Sequence, residues 1–180
     1  MAHDPDLALL EAWRAGDEAS GSKLLRQYLQ PLRRFFANKS LADDAEDLIQ
    51  QTMLGCVRGT ERFRGESSFR TYLFGVARLT LAYHLRSKHN KDGRTDELDL
   101  DVVSVRELVP GPSSILAKNR RHQLMIEALR AIPLDDQIML ELYYWEAMTA
   151  PEIAQSYDMG VPAVRGRIKR VKEAFEAALP

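Results

Sequence analysis

Apolar residues recur every three or four positions through most of the first 89 residues, which is the spacing of amphipathic helices. Gly16 should end the first of these helices, Pro31 should kink the second, and Ser67 can cap the fourth. The predicted helices cover residues 6–14, 18–38, 43–58 and 68–87. We therefore expect a small helical bundle in this part of the chain.

Residues 90–113 interrupt this pattern. They hold two Gly, two Pro and a cluster of acids without a helical period, and this composition predicts a flexible linker. The helical spacing then resumes, and further helices are predicted over residues 114–131, 135–147, 150–157 and 162–179. The pattern thus predicts an all-α protein of two small helical domains, residues 1–89 and 114–180, joined by a flexible linker.

The last two predicted helices have the sequence features of a helix-turn-helix. Thr149 and Glu152 have the spacing of a capping box, and a turn at residues 158–160 leads into a strongly basic helix. Four apolar residues share one side of that helix and predict its buried face: Val164, Ile168, Val171 and Phe175. Its basic residues should therefore face solvent.

In a DNA-binding helix-turn-helix, the leading half of the second helix reaches base edges in the major groove. On this ground the candidates for base contacts are Arg165, Gly166 and Lys169. The candidates for phosphate contacts are Arg167, Arg170 and Lys172. An ordinary amphipathic terminal helix would show the same spacing, so this segment alone leaves both interpretations open.

The net charge of −1 hides two basic segments. Residues 58–94 carry nine Lys or Arg and three acids, and residues 165–172 carry five basic residues and no acid. Residues 95–116, between them, carry five acids and one Arg. Two basic segments are typical of two contacts with nucleic-acid phosphates, although two solvated helix faces would give the same charges.

The composition also excludes several functional classes. The single cysteine, Cys56, cannot form an internal disulfide and fits a reducing compartment. The N-terminus lacks the basic start of a signal peptide, and no run of about 18 apolar residues occurs, so we expect a cytoplasmic protein without membrane insertion. Because metal-ligand spacings, phosphate loops and nucleophile elbows are absent from the sequence, we expect no enzyme activity, metal or cofactor.

The third predicted helix should bury one side and expose the other. Its apolar side is formed by Ala45, Leu48, Ile49, Thr52 and Cys56. The other side carries Asp47, Gln50, Gln51 and Leu54. Leu54 is therefore predicted to be exposed among polar residues, which indicates either a partner contact or an isolated surface leucine.

Residues 62–86 combine basic and aromatic side chains. Basic residues can follow a phosphate backbone, and aromatic rings can stack on unpaired bases. The basic members are Arg62, Arg64, Arg70 and Arg78, and the aromatic members are Phe63, Phe69, Tyr72 and Phe74. Phe69 shares a helical face with Leu73 and Val76, which favours a core position for Phe69 over a stacking one.

Three segments resemble, in the same order, those of the extracytoplasmic-function (ECF) sigma factors. DDAEDLIQQTML resembles the helix by which these proteins grip the β′ clamp of RNA polymerase. RFRGESSFRTYLFGVARLTLAYHLR resembles the segment that captures and opens the −10 promoter element. AIPLDDQIMLELYYWEAMTAPEIAQSYDMGVPAVRGRIKRVKEAF resembles the domain that binds the −35 element.

This resemblance implies a protein that binds core RNA polymerase, at the β′ clamp and β flap, and directs transcription initiation at promoter DNA. It implies an anti-sigma factor as a further partner, a region 2-like domain over residues 1–89 and a region 4-like domain over residues 114–180. The polymerase contacts would be Asp47, Gln50, Gln51 and Leu54. The −10 contacts would be Arg62, Phe63, Arg64, Ser67, Ser68, Arg70, Tyr72 and Arg78. The −35 contacts would be Arg165, Gly166, Arg167, Lys169, Arg170 and Lys172.

The chain departs from the family pattern at several positions. Asp158 replaces the usual turn glycine, Gly166 replaces a serine, and Leu79 stands where the family often has asparagine. These departures predict a promoter sequence that differs from those of familiar members. Two alternatives remain: a DNA-binding regulator that uses only its helix-turn-helix, and a degenerate sigma domain that acts as a decoy for the anti-sigma factor or the clamp.

Overall fold

The computed structural model describes residues 5–39, 41–93, 97–109 and 120–179, and within them the chain is helical without any strand. An isolated β-bridge joins Ser104 and Pro133. The helices are α1 (Pro5–Arg14), α2 (Glu18–Arg26), α3 (Leu29–Ala37), α4 (Ala45–Gly59), α5 (Phe69–Lys91), α6 (Val105–Leu108), α7 (Arg120–Arg130), α8 (Leu134–Tyr144), α9 (Ala150–Tyr157) and α10 (Val161–Ala178). The all-α prediction is confirmed.

The predicted second helix is divided into α2 and α3, which differs from the single kinked helix expected over residues 18–38. The break lies at Gln27 and Tyr28, ahead of Pro31. A proline ring conflicts with the carbonyl four residues earlier, which here belongs to Gln27, and proline has no N–H to donate to it. The proline thus ends one helix near position 27 instead of bending it at position 31.

The start of α5 also differs by one residue from the prediction. Ser68, and not Ser67, is the cap, because its hydroxyl accepts a hydrogen bond of 3.1 Å from the Thr71 backbone N–H. At its other end α5 continues to Lys91, into the segment predicted as linker.

The described part of the predicted linker is packed against the C-terminal helices. Three of its apolar side chains are buried: Leu98, Leu100 and Val105. The backbone N–H of Leu134 donates to the Val103 carbonyl at 3.0 Å. The expectation of a flexible segment therefore does not hold for residues 97–109, because these three side chains are buried against the rest of the protein. The predicted helix start at Ser114 lies outside the described residues.

One apolar core runs through the N-terminal helices and into the C-terminal ones. Phe36, Phe69 and Phe74 are fully buried in its N-terminal part, and Leu134 and Ile153 are fully buried in its C-terminal part. Helix α5 packs directly against α9. A second, smaller cluster holds α7, α8 and α10 together. The two halves of the chain therefore dock on each other through α5.

The helix-turn-helix has the predicted local structure. The Thr149 backbone N–H and hydroxyl both lie 2.8 Å from a carboxylate oxygen of Glu152, which confirms the capping box. Asp158 ends α9 in the left-handed region, with φ 51°, where aspartate is tolerated better than most residues. Val164, Ile168 and Val171 are buried as predicted.

Candidate nucleic-acid interface

A cavity of about 680 Å³ opens where the loop after α4 meets the first turns of α5. Two of its lining side chains are stacked rings, since the ring centres of Phe63 and Tyr72 lie 4.8 Å apart with 33° between the planes. Arg62, Arg64 and Ser67 also line it. The cavity thus combines ring faces, cations and a hydroxyl, which is the chemistry that binds an unpaired base and its phosphate.

Two features hold this cavity in shape. From α1, Arg14 donates hydrogen bonds to the backbone carbonyls of Thr60 and Phe63, which ties the loop to the bundle. Gly59 leaves room for the Tyr72 hydroxyl, because a Cβ at position 59 would lie 2.0 Å from it. A larger residue there would therefore displace the Tyr72 ring.

Most of the residues predicted to contact the −10 element line this cavity. These are Arg62, Phe63, Arg64, Ser67 and Tyr72. The others face the C-terminal helices instead. The Ser68 hydroxyl lies 3.2 Å from a carboxylate oxygen of Glu152.

Arg70 and Arg78 already have partners in this structure. Arg78 Nε and Nη2 lie 2.8 and 2.9 Å from the two carboxylate oxygens of Asp135, and its guanidinium lies 4.0 Å from the centre of the Tyr157 ring. Arg70 Nη1 donates to the Glu146 backbone carbonyl at 2.8 Å. In this conformation the Arg78 guanidinium is held by Asp135, whereas 41% of the Arg70 side chain stays exposed. The −10 contacts of both residues stay predictions.

Two of the four aromatic residues considered for stacking are fully buried. Phe69 lies in the core, as its helical spacing predicted. Phe74 is buried as well, with its ring centre 5.7 Å from that of Phe35, so its candidate stacking role is wrong for this conformation. Phe63 and Tyr72 are the two that reach the cavity.

Helix α10 presents most of its predicted DNA-binding residues to solvent. Arg165, Gly166, Lys169, Arg170 and Lys172 are exposed. A Cβ added at Gly166 would meet nothing within 4 Å, so the fold does not require glycine at this position. The missing side chain leaves the helix backbone open to close approach by a ligand.

Arg167 differs from its neighbours on α10. Its Nη2 lies 2.5 Å from Asp101 Oδ1, and its Nε lies 2.6 Å from Asp136 Oδ1. The predicted phosphate contact of Arg167 is therefore not available in this conformation. Asp101 is 66 positions away, in the acidic part of the segment predicted as linker.

A groove of about 940 Å³ lies between α10 and the start of α9. Arg165, Lys169 and Lys172 line it, together with the first turn of α9. The three basic side chains favour an anion such as a phosphate on the α10 side of the groove. Tyr143 and Tyr144, which the sequence analysis did not single out, line the same groove.

Comparisons with known proteins show what this chain is similar to. The sigma-70 region 2 family matches residues 22–91. The ECF RNA polymerase sigma-E factor of Haemophilus influenzae is 26% identical over 176 residues, which cover 95% of this chain and 93% of the relative. That of Escherichia coli K12 is 24% identical over 179 residues, covering 95% and 92%. Over nearly all of its length the chain is similar to ECF sigma factors.

Two solved structures share the fold of this chain. The sigma factor RpoE in complex with the anti-sigma factor NepR from Bartonella quintana has a TM-score of 0.66 at 20% identity, covering 88% of this chain and 95% of that one. CnrH in complex with the cytosolic domain of CnrY has a TM-score of 0.66 at 19% identity, covering 97% and 96%. At these identities the comparison shows the common fold.

Helix α4 has the two sides that its sequence predicted. Its buried residues are Ala45, Leu48, Ile49, Thr52 and Cys56. Its exposed residues include Asp47, Gln50, Gln51 and Leu54, and 52% of Leu54 is accessible. On α5, Leu79 is 65% exposed, so the position that departs from the family pattern faces solvent.

Across the described ranges, no group of three or more His, Cys, Asp or Glu is placed to hold a metal ion. Of the helices in those ranges, none is both long and apolar enough to cross a membrane.

Proposed function

We propose that this chain is an ECF sigma factor, which binds core RNA polymerase in the cytoplasm and directs it to promoters, acting as a regulator of transcription and not as an enzyme. The proposal rests on the cavity at the start of α5. Its lining combines the neighbouring rings of Phe63 and Tyr72 with the side chains of Arg62, Arg64 and Ser67. The role assigned to it is to hold an unpaired base of the −10 element.

The lining of this cavity suits a base that has left the duplex. An aromatic ring contributes about 1–3 kcal/mol to the binding of a stacked base, whatever the base. The Ser67 hydroxyl can donate or accept a hydrogen bond at the base edge. Arg62 and Arg64 can pair with the flanking phosphates. The cavity therefore supports capture of single-stranded DNA, which a helix-turn-helix regulator does not need.

The second DNA contact belongs to α10. Its leading half exposes Arg165, Gly166 and Lys169, and these residues would read base edges of the −35 element in the major groove. Arg170 and Lys172 would neutralise phosphates. The groove between α10 and the start of α9 offers a place for the backbone of one strand.

The polymerase contacts would lie on two surfaces. The exposed side of α4, with Leu54 at its centre, would meet the β′ clamp. An apolar cavity of about 280 Å³ between α7, α8 and α10, lined by Leu129, Trp145 and Phe175 among others, fits an apolar segment such as the β flap. One structural neighbour, the sigma factor RpoE, was solved with the anti-sigma factor NepR, which supports an anti-sigma factor as a further partner of this chain.

Run-off transcription with core RNA polymerase on a library of promoters tests this function. We expect initiation on a subset of the library, and we expect a Phe63→Ala/Tyr72→Ala variant to lose it while retaining core binding. Sequence-specific DNA binding without initiation would favour the plain regulator. Core or anti-sigma binding without initiation would favour the decoy.

The α4 surface gives a separate prediction. Replacing Gln50 and Leu54 together with Ala should weaken binding to core polymerase, because the variant removes the exposed apolar contact and a polar neighbour. Helicity should not fall, since both side chains point away from the core. A fluorescence titration of labelled protein with core polymerase measures the affinity. Glu11→Ala on exposed α1 is the matched control, and an unchanged affinity of the double variant would remove α4 from the interface.

A further inference from the structure

Helix α1 lies outside the segment that matches the sigma-70 region 2 family. The match begins at residue 22, whereas α1 ends at Arg14. The structure nevertheless ties α1 to the loop between α4 and α5. This loop lines the cavity at the start of α5, which we call the −10 cavity. The contacts of α1 therefore point to a role that the matched segment does not contain.

Arg14 supplies hydrogen bonds that the end of α4 lacks. The last four carbonyls of a helix have no partner within the helix, and a cationic side chain can donate to them. Arg14 Nε donates to the Thr60 carbonyl at 3.1 Å, and Arg14 Nη2 donates to the carbonyls of both Thr60 and Phe63. One planar guanidinium thus joins the end of α4 to the backbone of Phe63.

The Phe63 ring is held on two sides. The guanidinium carbon of Arg14 lies 5.8 Å from the centre of this ring, and the ring centre of Tyr72 lies 4.8 Å away in the −10 cavity. The Phe63 backbone N–H also donates to the Gly59 carbonyl at 3.0 Å. The place of Phe63 therefore depends on α4 along the chain and on α1 across space.

Helix α1 is itself fixed near both of its ends. In its first turn, Asp6 accepts hydrogen bonds from the Gln27 side-chain amide, at 2.7 Å, and from the Tyr28 hydroxyl. In its last turn, the Trp13 ring packs on Gly21, where a Cβ would lie only 2.5 Å from a ring carbon. Because α1 cannot shift easily, the loop is bonded to a rigid support.

A cavity that already has its final shape binds an unpaired base more tightly than one that must form around it. Ordering a loop or a side chain during binding costs free energy, which a preorganised site avoids. Without Arg14, the carbonyls of Thr60 and Phe63 would turn to water, and the Phe63 ring could leave its place beside Tyr72. None of the contacts described for Arg14 involves the exposed side of α4 or helix α10. The loss should therefore fall on base capture alone.

We propose that α1 stabilises the shape of the −10 cavity and that Arg14 is the positioning residue through which it acts. By holding the carbonyls of Thr60 and Phe63, Arg14 keeps the Phe63 ring beside Tyr72, where an unpaired base of the −10 element would bind. This inference rests on the proposed function. It assigns Arg14 to promoter opening, separately from polymerase binding and from recognition of the −35 element.

Promoter opening by the holoenzyme tests this role. The probe is a promoter that the wild-type holoenzyme selects from a library, with 2-aminopurine in its −10 element to report unstacking by fluorescence. We expect Arg14→Met to lower the equilibrium constant for opening about tenfold, equal to about 1.4 kcal/mol, with unchanged affinity for core polymerase and for the closed promoter. Arg26→Met removes the same charge from the last turn of α2 and is the matched control. Equal opening by Arg14→Met and the wild type would overturn the inference.

Two further measurements separate positioning from a direct contact between Arg14 and a DNA phosphate, which the exposure of Arg14 allows. A lost phosphate contact lowers the slope of affinity against salt by about one, whereas a positioning role leaves the slope unchanged. Arg14→Lys keeps the charge but lacks the planar fork that reaches both carbonyls, so it should also open the promoter poorly. A reduced salt slope in Arg14→Met, or full opening by Arg14→Lys, would contradict the assignment.

Hydrogen exchange of the isolated chain tests the support from α1 without DNA or polymerase. The backbone amides of Arg62 and Phe63 both donate to the Gly59 carbonyl. We expect them to exchange faster in Arg14→Met than in the wild type or in Arg26→Met, because the loop opens locally more often. Amides within α10 should exchange equally in all three proteins, which establishes that the fold is retained. Equal exchange of the loop amides would refute the inference, whereas a wild type that fails to initiate would count against the proposed function alone.

Discussion

Replacing Lys39 with Met should open the molecule at the domain interface. Lys39 Nζ lies 2.6 Å from Glu141 Oε2, and the two side chains are only 1% and 2% exposed. Removing one member of a buried ion pair costs about 3–5 kcal/mol, because the other charge stays buried without its partner. Since Glu141 belongs to α8 and Lys39 follows α3, the chain can avoid this cost by separating the two domains and hydrating Glu141.

Small-angle X-ray scattering measures the opening. A compact chain of this length has a radius of gyration of about 16 Å, and Lys39→Met should exceed the wild-type value clearly. Lys39→Met/Glu141→Leu should return towards the compact value, because an apolar pair needs no compensating charge. Arg33→Met, which breaks an exposed pair with Glu46, is the matched control and should change nothing. A double variant as open as the single one would contradict this account.

The domain opening of Lys39→Met should depend on pH, because the carboxyl of Glu141 titrates differently in the closed and open forms. Burial raises the pKa of its carboxyl, and loss of Lys39 removes the nearest cation that opposes this effect. The closed form of Lys39→Met therefore binds a proton more readily than the open form does, so closure should be favoured as the pH falls and weakened as it rises. We expect a larger radius of gyration under alkaline than under mildly acidic conditions.

Arg165→Ala and Lys169→Ala should each relax the sequence preference of the holoenzyme at one or two positions of the −35 element. The two residues are one helical turn apart and both are exposed on the leading half of α10. A bidentate arginine contact to guanine is worth about 1–3 kcal/mol against a wrong base. A free energy of about 1.4 kcal/mol corresponds to a factor of ten in affinity. We therefore expect the preference for the correct base at the affected position to fall by about 5- to 150-fold.

Arg170→Ala is the comparison for these variants. A lost phosphate contact weakens binding to all sequences about equally and reduces the slope of affinity against salt by about one. Selection from a library of −35 sequences with each holoenzyme separates the two kinds of effect. If the preferred sequence stays the same in both Arg165→Ala and Lys169→Ala, α10 does not lie in the groove as we place it.

Much of the local structure could be predicted from the sequence because it depends on neighbours along the chain. The capping box of Thr149 and Glu152, the left-handed Asp158 and the buried side of α4 all follow from spacings within one or two helical turns. The break before Pro31 depends on a local clash too. It lies ahead of the proline, whereas the sequence predicted a bend at Pro31 itself. Helix faces and helix ends are short-range properties.

By itself the sequence of this protein determined the all-α class, the helix-turn-helix, the family resemblance and which side of each helix is apolar. Only the tertiary structure decided which charged residues are open to a partner. Arg78 with Asp135, Lys39 with Glu141 and Arg167 with Asp101 are separated by 57, 102 and 66 positions. No periodicity links positions so far apart, because these pairs depend on how whole helices dock. The sequence shows that a residue is cationic, whereas the fold determines whether DNA or an acidic residue of the same chain neutralises it.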